Sequence, residues 1–255
     1  MTLRTLQKWH GAGNDFLVEV IQDATAPWWT PQRASAVCSR THGVGADGLL
    51  VATVGVEVAM ELYNADGSIA EMSGNGIRCL AAAVRRTTGA SWESLVVTTA
   101  SGPRTVSLTM DGDAGYGSVA MGDVTFGESL PGTLGVAFVG NPHVVVRDDP
   151  KWTDAMREEL ADTLSEQMGG ANVEFLTVLS EEHLSILVVE RGVGWTEACG
   201  TGSVAVAAVA RREGLGGPDV TVDNPGGALK VTLDGGRATL SGPVQFVANV
   251  EWLEA

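Results

Sequence analysis

The sequence predicts an α+β protein of two related halves, each a curled, mainly antiparallel sheet around a central helix. Two glycine-rich turns, at 73–76 and 199–202, are each followed by a helical run of small apolar residues, and these runs predict the two central helices. Short segments of alternating apolar and polar residues surround both runs and predict strands. The length of 255 residues fits two domains of about 125 residues.

The two helical runs belong to one duplicated unit, because residue identities coincide at a constant offset. The coinciding pairs are Gly74/Gly200, Gly76/Gly202, Ala81/Ala207, Ala82/Ala208, Arg85/Arg211 and Arg86/Arg212. Asn64 falls opposite Glu190 in the same register. The duplication predicts an N-terminal half of residues 1–114 with the C-terminal segment 243–255, and a C-terminal half of residues 115–242. The glycine- and aspartate-rich segment 111–115 is the predicted boundary.

The first half has a clear order of elements. Residues 31–40 have helical composition, with Thr30 as a plausible N-cap and Pro31 in the first turn. A strong turn signal at 64–68 precedes the first glycine-rich helix, expected at 75–87. Alternation predicts strands at 3–7, 16–21, 49–54, 56–63, 95–99 and 104–110.

The second half repeats this plan. An amphipathic helix is expected at 152–168, and the second glycine-rich helix follows Cys199. The segment Asn141-Pro142-His143 is expected to form a turn. Strands are expected at 117–121, 136–139, 144–146, 173–179, 184–189, 220–222, 229–233 and 237–240.

Composition limits the classes of function. The net charge is −15, from 16 basic and 31 acidic residues, and no basic stripe is visible, so nucleic acid is not an expected partner. The sequence begins without a signal-peptide pattern, and its apolar runs are too short to cross a membrane, so we expect a soluble cytoplasmic protein.

No cofactor is expected. The three cysteines, Cys38, Cys79 and Cys199, lack metal-ligand spacing, and Cys38 and Cys79 are assigned to packing. Pyridoxal phosphate would need a lysine in a cofactor loop. The only lysines, Lys8, Lys151 and Lys230, do not lie in such a loop.

The turn that contains Cys199 is the strongest chemical signal. The N-terminus of a helix presents unpaired N–H groups that can bind a carboxylate, and its field lowers the pKa of a thiol. Cys199 is therefore a candidate base, and Ser73 occupies the equivalent position in the first half. The two glycine-rich turns give each half such a helix N-terminus. The donors to a substrate α-carboxylate would be the amides of Gly74, Asn75, Gly200 and Thr201.

The motifs resemble those of diaminopimelate epimerases in order and spacing over essentially the whole chain. They are Gly13-Asn14-Asp15-Phe16, Asn64-Ala65-Asp66-Gly67-Ser68, Gly74-Asn75-Gly76, Gly140-Asn141-Pro142-His143, Glu190-Arg191-Gly192 and Ala198-Cys199-Gly200-Thr201-Gly202. The resemblance implies two pseudosymmetric domains with the site in the cleft between them. It also implies epimerisation of an amino acid without pyridoxal phosphate or metal, by two facing cysteines, as a step of lysine biosynthesis.

The resemblance further implies roles for residues around the cysteines. Asn64 and Glu190 would face the α-amino group, and His143 would line the pocket. The distal end of the substrate would be contacted by Asn14, Asn141, Asn172 and Arg191. An arginine among asparagines favours a substrate with a distal carboxylate, hence diaminopimelate.

Position 73 departs from the family, which has its first cysteine there. Serine is too weak an acid to serve as a base without a partner, and Cys79 lies six residues further on. Either the chain performs a one-base reaction, as an isomerase or dehydratase of another amino acid, or it carries a substitution that holds substrate without turnover. The intact motifs favour the second interpretation. A non-catalytic amino-acid-binding protein is a further alternative, and the sequence is compatible with a homodimer.

Overall fold

The computed structural model describes residues 3–22 and 28–253, and the chain divides into two compact units. The first unit is Met1–Val119 with Gly242–Ala255, and the second is Ala120–Ser241. The chain passes between them within strand β8 (Ala114–Asp123) and again within strand β17 (Arg237–Leu253). The segment 111–115 is the hairpin turn that leads into β8.

The first unit alternates strands with two helices. Its helices are α1 (Pro31–Cys38) and α2 (Gly74–Thr88). Its other strands are β1 (Leu3–Gly11), β2 (Asn14–Ile21), β3 (Gly48–Val54), β4 (Val58–Asn64), β5 (Ile69–Ala70), β6 (Ser94–Thr99) and β7 (Gly102–Asp111).

The second unit has the same order. Its helices are α3 (Asp154–Gln167) and α4 (Gly200–Arg212). Its other strands are β9 (Thr125–Phe126), β10 (Gly135–Phe138), β11 (Pro142–Arg147), β12 (Asn172–Ser180), β13 (His183–Glu190), β14 (Gly194–Trp195), β15 (Asp219–Asn224) and β16 (Gly227–Asp234).

Strand pairing repeats between the units. In the first, β1 and β2 are antiparallel, β2 and β3 are parallel across α1, and β4 and β6 are parallel across α2. In the second, β10 and β11 are antiparallel, β11 and β12 are parallel across α3, and β13 and β15 are parallel across α4. Parallel neighbours need such a crossover connection. Strands that are joined directly, such as β3 with β4 and β12 with β13, are antiparallel.

Each glycine-rich helix is the centre of its own unit. Helix α2 packs on β1, β2, β3 and β7, and every residue from Gly74 to Val84 is buried. Helix α4 packs on six strands, which are β10, β11, β12, β13, β15 and β16. A helix that touches strands across its whole sheet is wrapped by that sheet. The predicted α+β fold is therefore confirmed.

Helices α1 and α3 cover the opposite faces of these sheets. In the first unit, Ala34 and Val37 of α1 join a core with Leu17 and Leu49. In the second, Ala161 and Leu164 of α3 join a core with the α3-facing residues of β11 and β12. The predicted cap of α1 is present, because Thr30 Oγ1 accepts a hydrogen bond from the Arg33 amide at 3.3 Å.

Both central helices end alike. Arg85 at the end of α2 donates to the carbonyl of Leu108, and Arg211 at the end of α4 donates to the carbonyl of Leu233. Arginines in a last turn also complement the helix dipole. In the part of the chain that the structure describes, no helix is long and apolar enough to span a membrane.

Two sequence expectations differ from the structure. Strand β11 begins at Pro142, so His143 lies in a strand rather than in a turn, where its main chain pairs with Asn172 of β12. Strand β17 continues to Leu253 instead of ending at 240. The glycine and proline at 242–243 are local break signals, but antiparallel pairing of this segment with β1 outweighs them.

Candidate active site

Ser73 and Cys199 are the N-caps of the two central helices, with nearly the same geometry. Ser73 has φ −134° and ψ 123°, and its Oγ accepts a hydrogen bond from the amide of Gly76 at 3.0 Å. Cys199 has φ −115° and ψ 112°, and its Sγ accepts from the amide of Gly202 at 3.3 Å. Each side chain is therefore held at the start of its helix by the third amide that follows it.

The backbone of Cys199 is fixed by a buried polar pair. Its amide donates to Asn224 Oδ1 at 3.2 Å, and its carbonyl accepts from Ser203 Oγ at 2.8 Å. Asn224 Nδ2 in turn donates to Ser203 Oγ at 3.1 Å. The thiol also lies 3.5 Å from Thr201 Oγ1. Only 5% of Cys199 is exposed, so the sulfur is positioned by the protein rather than by solvent.

The electrostatic setting of Cys199 corrects the expectation of a lowered thiol pKa. Burial raises its pKa well above the ordinary value, and the nearby carboxyl groups of Glu190 and Glu174 raise it further. The hydrogen bonds from Thr201 and Gly202 act in the opposite direction but are weaker. The helix terminus alone does not set this pKa, because two acids lie beside the thiol.

His143 and Glu174 form a fully buried pair. The distance from His143 Nδ1 to Glu174 Oε1 is 2.6 Å, and His143 Nε2 lies 2.9 Å from Asn141 Oδ1. Neither side chain of the pair is exposed to solvent. The pair faces α4, because the neighbouring residues Val144 and Val173 face the α3 core and successive side chains in a strand alternate.

Glu174 has one oxygen without a hydrogen-bond partner. Its Oε2 is buried and unsatisfied among the described residues. Its Oε1 lies close to the first turn of α4, where a Cβ added at Gly202 would be only 2.6 Å away. Glycine at 202 therefore lets a carboxylate approach the helix beside Cys199.

Glu190 ends strand β13 next to the same thiol. Its Oε1 accepts a hydrogen bond from Thr196 Oγ1 at 3.0 Å. Burial raises the pKa of Glu190, while hydrogen bonds from Thr196 and from the Cys199 thiol partly oppose that rise. The hydrogen bond from the thiol places Glu190 directly beside Cys199.

Arg191 and Asn172 are joined through the main chain. The Arg191 amide donates to Asn172 Oδ1 at 3.0 Å. The Arg191 side chain is exposed and passes over Gly170, where an added Cβ would lie 2.8 Å from Arg191 Cδ. Gly170 also has φ +111°, a backbone conformation that favours glycine. The loop before β12 is thus shaped around the Arg191 side chain.

In the first unit, the structure brings Asn14 and Asn75 together near Ser73. Asn75 Nδ2 donates to Asn14 Oδ1 at 3.4 Å, and Asn14 Nδ2 donates to Asp47 Oδ2 at 2.8 Å. Gly74 and Asn75 are buried in the first turn of α2. Asn64 Nδ2 donates a hydrogen bond to Ser68 Oγ at 2.9 Å, within its own turn.

Sequence reasoning missed three residues of these surroundings: Arg78, Glu174 and Asn224. Arg78 and Glu174 each interrupt an apolar run, in the segments 77–84 and 173–176, and both are fully buried. A single charge inside an apolar run was the available signal, because such residues are rarely buried without a purpose. Within the described ranges, no group of three or more histidine, cysteine, aspartate or glutamate side chains is arranged to hold a metal.

Solved structures share this fold. One is a predicted epimerase from Pseudomonas aeruginosa, with a TM-score of 0.75 at 16% identity, covering 99% of this chain and 100% of that one. Another is a hydroxyproline epimerase from Agrobacterium vitis with bound trans-4-hydroxy-L-proline, with a TM-score of 0.74 at 14% identity, covering 98% of this chain and 92% of that one. At these identities the likeness concerns the fold alone.

Relatives found by sequence have higher identity to this chain than these solved structures do. A diaminopimelate epimerase of Rhodococcus opacus is 39% identical over 95% of this chain and 94% of its own length. One from Synechocystis is 33% identical over 95% and 96% of the two chains. The family model for diaminopimelate epimerase matches residues 6–127 and 135–247. Together with the paired N-caps, these matches establish that the chain belongs to the diaminopimelate epimerase family.

Proposed function

We propose that this protein binds diaminopimelate and epimerises it at the α-carbon by a two-base mechanism, which Ser73 disables in the chain as it stands. The observation that carries the proposal is the equivalence of Ser73 and Cys199, each the N-cap of the central helix of its unit. Inversion needs an acid and a base on opposite faces of one carbon. Two equivalent caps in a duplicated chain supply two such positions.

We infer that the substrate α-carboxylate binds at the N-termini of α2 and α4. The proposed donors are the amides of Gly74, Asn75, Gly200 and Thr201, since the first amides of a helix have no partner within it. Negative charge spreads onto this carboxylate as the α-proton leaves. Donors that are already in position stabilise that charge without reorganisation.

The proposed steps apply to a chain with cysteine at position 73. One thiolate takes the α-proton, and the electron pair of the broken C–H bond spreads into the carboxylate. The opposite thiol gives its proton to the other face of the carbon and becomes the thiolate. The acids beside Cys199 favour its protonated form, so Cys199 is the proton donor of the resting protein. Serine at 73 leaves the partner role unfilled.

The remaining residues are proposed to select the substrate. Asn64 and Glu190 face the α-amino group, and His143 supports the pocket through its contacts with Asn141 and Glu174. Arg191, with Asn14, Asn141 and Asn172, binds the distal end of the substrate. The Arg191 guanidinium can bind a second carboxylate through two parallel hydrogen bonds. That preference supports diaminopimelate over an amino acid with a neutral side chain.

A one-base isomerase or dehydratase is the second candidate function. Ser73 is the observation that favours it, because only Cys199 can then exchange a proton with the substrate. We further propose that the protein acts in the cytoplasm on a free amino acid, without pyridoxal phosphate, metal or nucleic acid. A homodimer stays a prediction that sedimentation would test.

Calorimetry tests the proposed substrate. The protein should bind at least one diaminopimelate stereoisomer with no added metal or cofactor. Arg191→Ala should weaken diaminopimelate at least tenfold and a short neutral amino acid much less, because only the first loses a charged partner. Arg147→Ala, which removes an exposed arginine from the same unit, is the matched control. Absence of binding by every stereoisomer at millimolar concentration would overturn the proposal.

A further inference from the structure

Arg78 is a fully buried cation beside the first turn of α2. Its Nη1 donates to the carbonyl of Gly74 at 2.9 Å, and its Nη2 donates to Asn75 Oδ1 at 2.8 Å. Its Nε is buried without a hydrogen-bond partner among the described residues. Burial lowers the pKa of Arg78 to about 10, so the guanidinium remains charged at neutral pH.

The charge of Arg78 has no acidic partner in the described parts of the chain. None of the ion pairs there includes it, and the groups that act on its pKa are the Cys79 thiol and the Tyr116 phenol. Taking a cation out of water costs several kcal/mol unless it is paired. Fully buried arginines are accordingly rare without a carboxylate beside them.

Two glycines leave room for this side chain. A Cβ added at Gly11 of β1 would lie 3.2 Å from Arg78 Nη2, and one added at Gly117 of β8 would lie 3.1 Å from Arg78 Cδ. Both glycines are buried, and neither has a positive φ, so backbone conformation does not require glycine at these positions. The space around the guanidinium is therefore built by strands from two parts of the unit.

The first turns of α2 and α4 differ in charge despite their matched caps. The position of α4 equivalent to Arg78 is Val204, and two acids, Glu174 and Glu190, lie beside Cys199. The first turn of α2 therefore carries an uncompensated positive charge, and the surroundings of α4 are acidic. An anionic ligand is therefore stabilised more strongly by electrostatic attraction at the first turn of α2 than at the first turn of α4.

We propose that Arg78 is a positioning residue that makes the first turn of α2 the principal binding site for the substrate α-carboxylate. This inference rests on the proposed function. Arg78 does not touch the substrate. It holds the Gly74 carbonyl and the Asn75 side chain, and its charge is neutralised only when the carboxylate binds. The preferred substrates are free α-amino acids, and amides or esters of the α-carboxylate are rejected.

The test compares charge with hydrogen bonding at position 78 in the full-length chain. Arg78→Lys keeps the charge, and Arg78→Gln removes it while keeping a donor, with Arg78→Met in its place if the Gln variant does not fold. Arg85→Met removes one positive charge from the far end of the same helix and controls for net charge. Unfolding midpoints and near-ultraviolet circular dichroism establish that each variant is folded.

Calorimetry with diaminopimelate should give at least tenfold weaker binding for Arg78→Gln. Arg78→Lys and Arg85→Met should stay within about threefold of the parent. In a Ser73→Cys background, Arg78→Gln should lower kcat as well as raise KM, because charge on the carboxylate grows in the transition state. A folded Gln variant with parental affinity, or equal losses for Lys and Gln, would overturn the inference.

The proposed function fails on different results. If Ser73→Cys neither binds nor epimerises diaminopimelate, the proposed function is wrong whatever position 78 does. If the Ser73→Cys variant is active and the double variant that also carries Arg78→Gln is equally active, the proposed function stands and Arg78 has only a packing role.

Discussion

Ser73 Oγ and Cys199 Sγ accept the same capping hydrogen bond, from Gly76 at 3.0 Å and from Gly202 at 3.3 Å. The backbone dihedral angles of the two caps differ by less than about 20°. The thiol at 199 therefore demonstrates that this local geometry accommodates sulfur. A cysteine at 73 requires no change of backbone.

The first prediction is that Ser73→Cys gains the ability to invert diaminopimelate. A positioned acid or base contributes about 10²–10⁴-fold to rate, so we expect a gain of at least this order. Chiral chromatography of the stereoisomers over time measures it. As a control, Cys79→Ala removes the buried thiol of the same helix and should leave the rate of inversion unchanged. A Ser73→Cys protein that binds substrate but inverts it no faster than the parent contradicts the two-base mechanism.

The second prediction concerns the cap itself. Ser73→Ala removes a side-chain acceptor from the start of α2 and should lower the free energy of unfolding by about 1 kcal/mol. Ser73→Cys should lower the free energy of unfolding by less than Ser73→Ala does, since the Cys199 thiol caps α4 in the same way. Urea unfolding measures both. Thr153→Ala removes the corresponding cap of α3 and provides the comparison. Equal stability of Ser73→Ala and the parent would show that the amide of Gly76 needs no protein acceptor.

Local sequence patterns were sufficient to predict the central helices and most strands. The constant offset between the halves identified α2 and α4 before any contact was known, because a glycine-rich turn and a run of small residues are local features. The final strand was not predictable beyond Leu240, because it depends on pairing with β1 at the other end of the chain. Such pairings are not encoded in local alternation.

The acidic surroundings of Cys199 were also not predictable from the sequence. The N-terminal position on a helix was visible and suggested a lowered pKa, but Glu174 comes from β12 and Glu190 from β13. Their approach to the thiol depends on how these strands pack on α4. Arg78 was overlooked for a related reason, since helical periodicity alone does not reveal that every side of α2 is enclosed.

The third prediction concerns the Cys199 pKa. Burial and the two neighbouring acids raise it, so Glu190→Gln should lower it by removing a negative charge. The ultraviolet absorbance of the thiolate, taken as the difference from the same protein with Cys199→Ala, should then rise at lower pH than in the parent. Cys38 and Cys79, whose pKa values burial raises to about 12, should not shift. An unchanged titration would mean that Glu190 is neutral or screened.

The fourth prediction concerns acid stability. Burial would raise the pKa of Asp15, but hydrogen bonds from Arg40 and Lys8 outweigh it and lower the pKa. A carboxyl with a lowered folded-state pKa stabilises the fold above the ordinary value of about 3.9 and loses that contribution as pH falls through the folded-state value. Asp15→Asn should therefore destabilise the protein at neutral pH, and the difference from the parent should shrink in acid.

Urea unfolding at several pH values measures this difference. Asp162→Asn, on the exposed side of α3, is the control and should have little effect at any pH. A difference between Asp15→Asn and the parent that stays constant down to the acid limit would show that the charge of Asp15 does not contribute.

The fifth prediction is that the protein with Ser73 exchanges the α-hydrogen of one diaminopimelate stereoisomer without inverting it. Cys199 can act as a base on the isomer that presents its α-hydrogen to that side, and the proton can return from the same thiol. Delivery to the opposite face depends on a serine, which is a poor acid. In deuterated water, mass spectrometry should detect deuterium in one isomer well before chiral chromatography detects inversion.

The rate of this exchange should rise with pH, because the raised pKa of Cys199 keeps most of the thiol protonated at neutral pH. Glu190→Gln should move the rise to lower pH if Glu190 acts only through its charge. Cys199→Ala should abolish exchange, and Cys79→Ala should leave it intact. Exchange that survives Cys199→Ala would assign the base to another group. Rapid inversion by the chain with Ser73 would show that a second thiol is unnecessary, and the two-base mechanism would not apply.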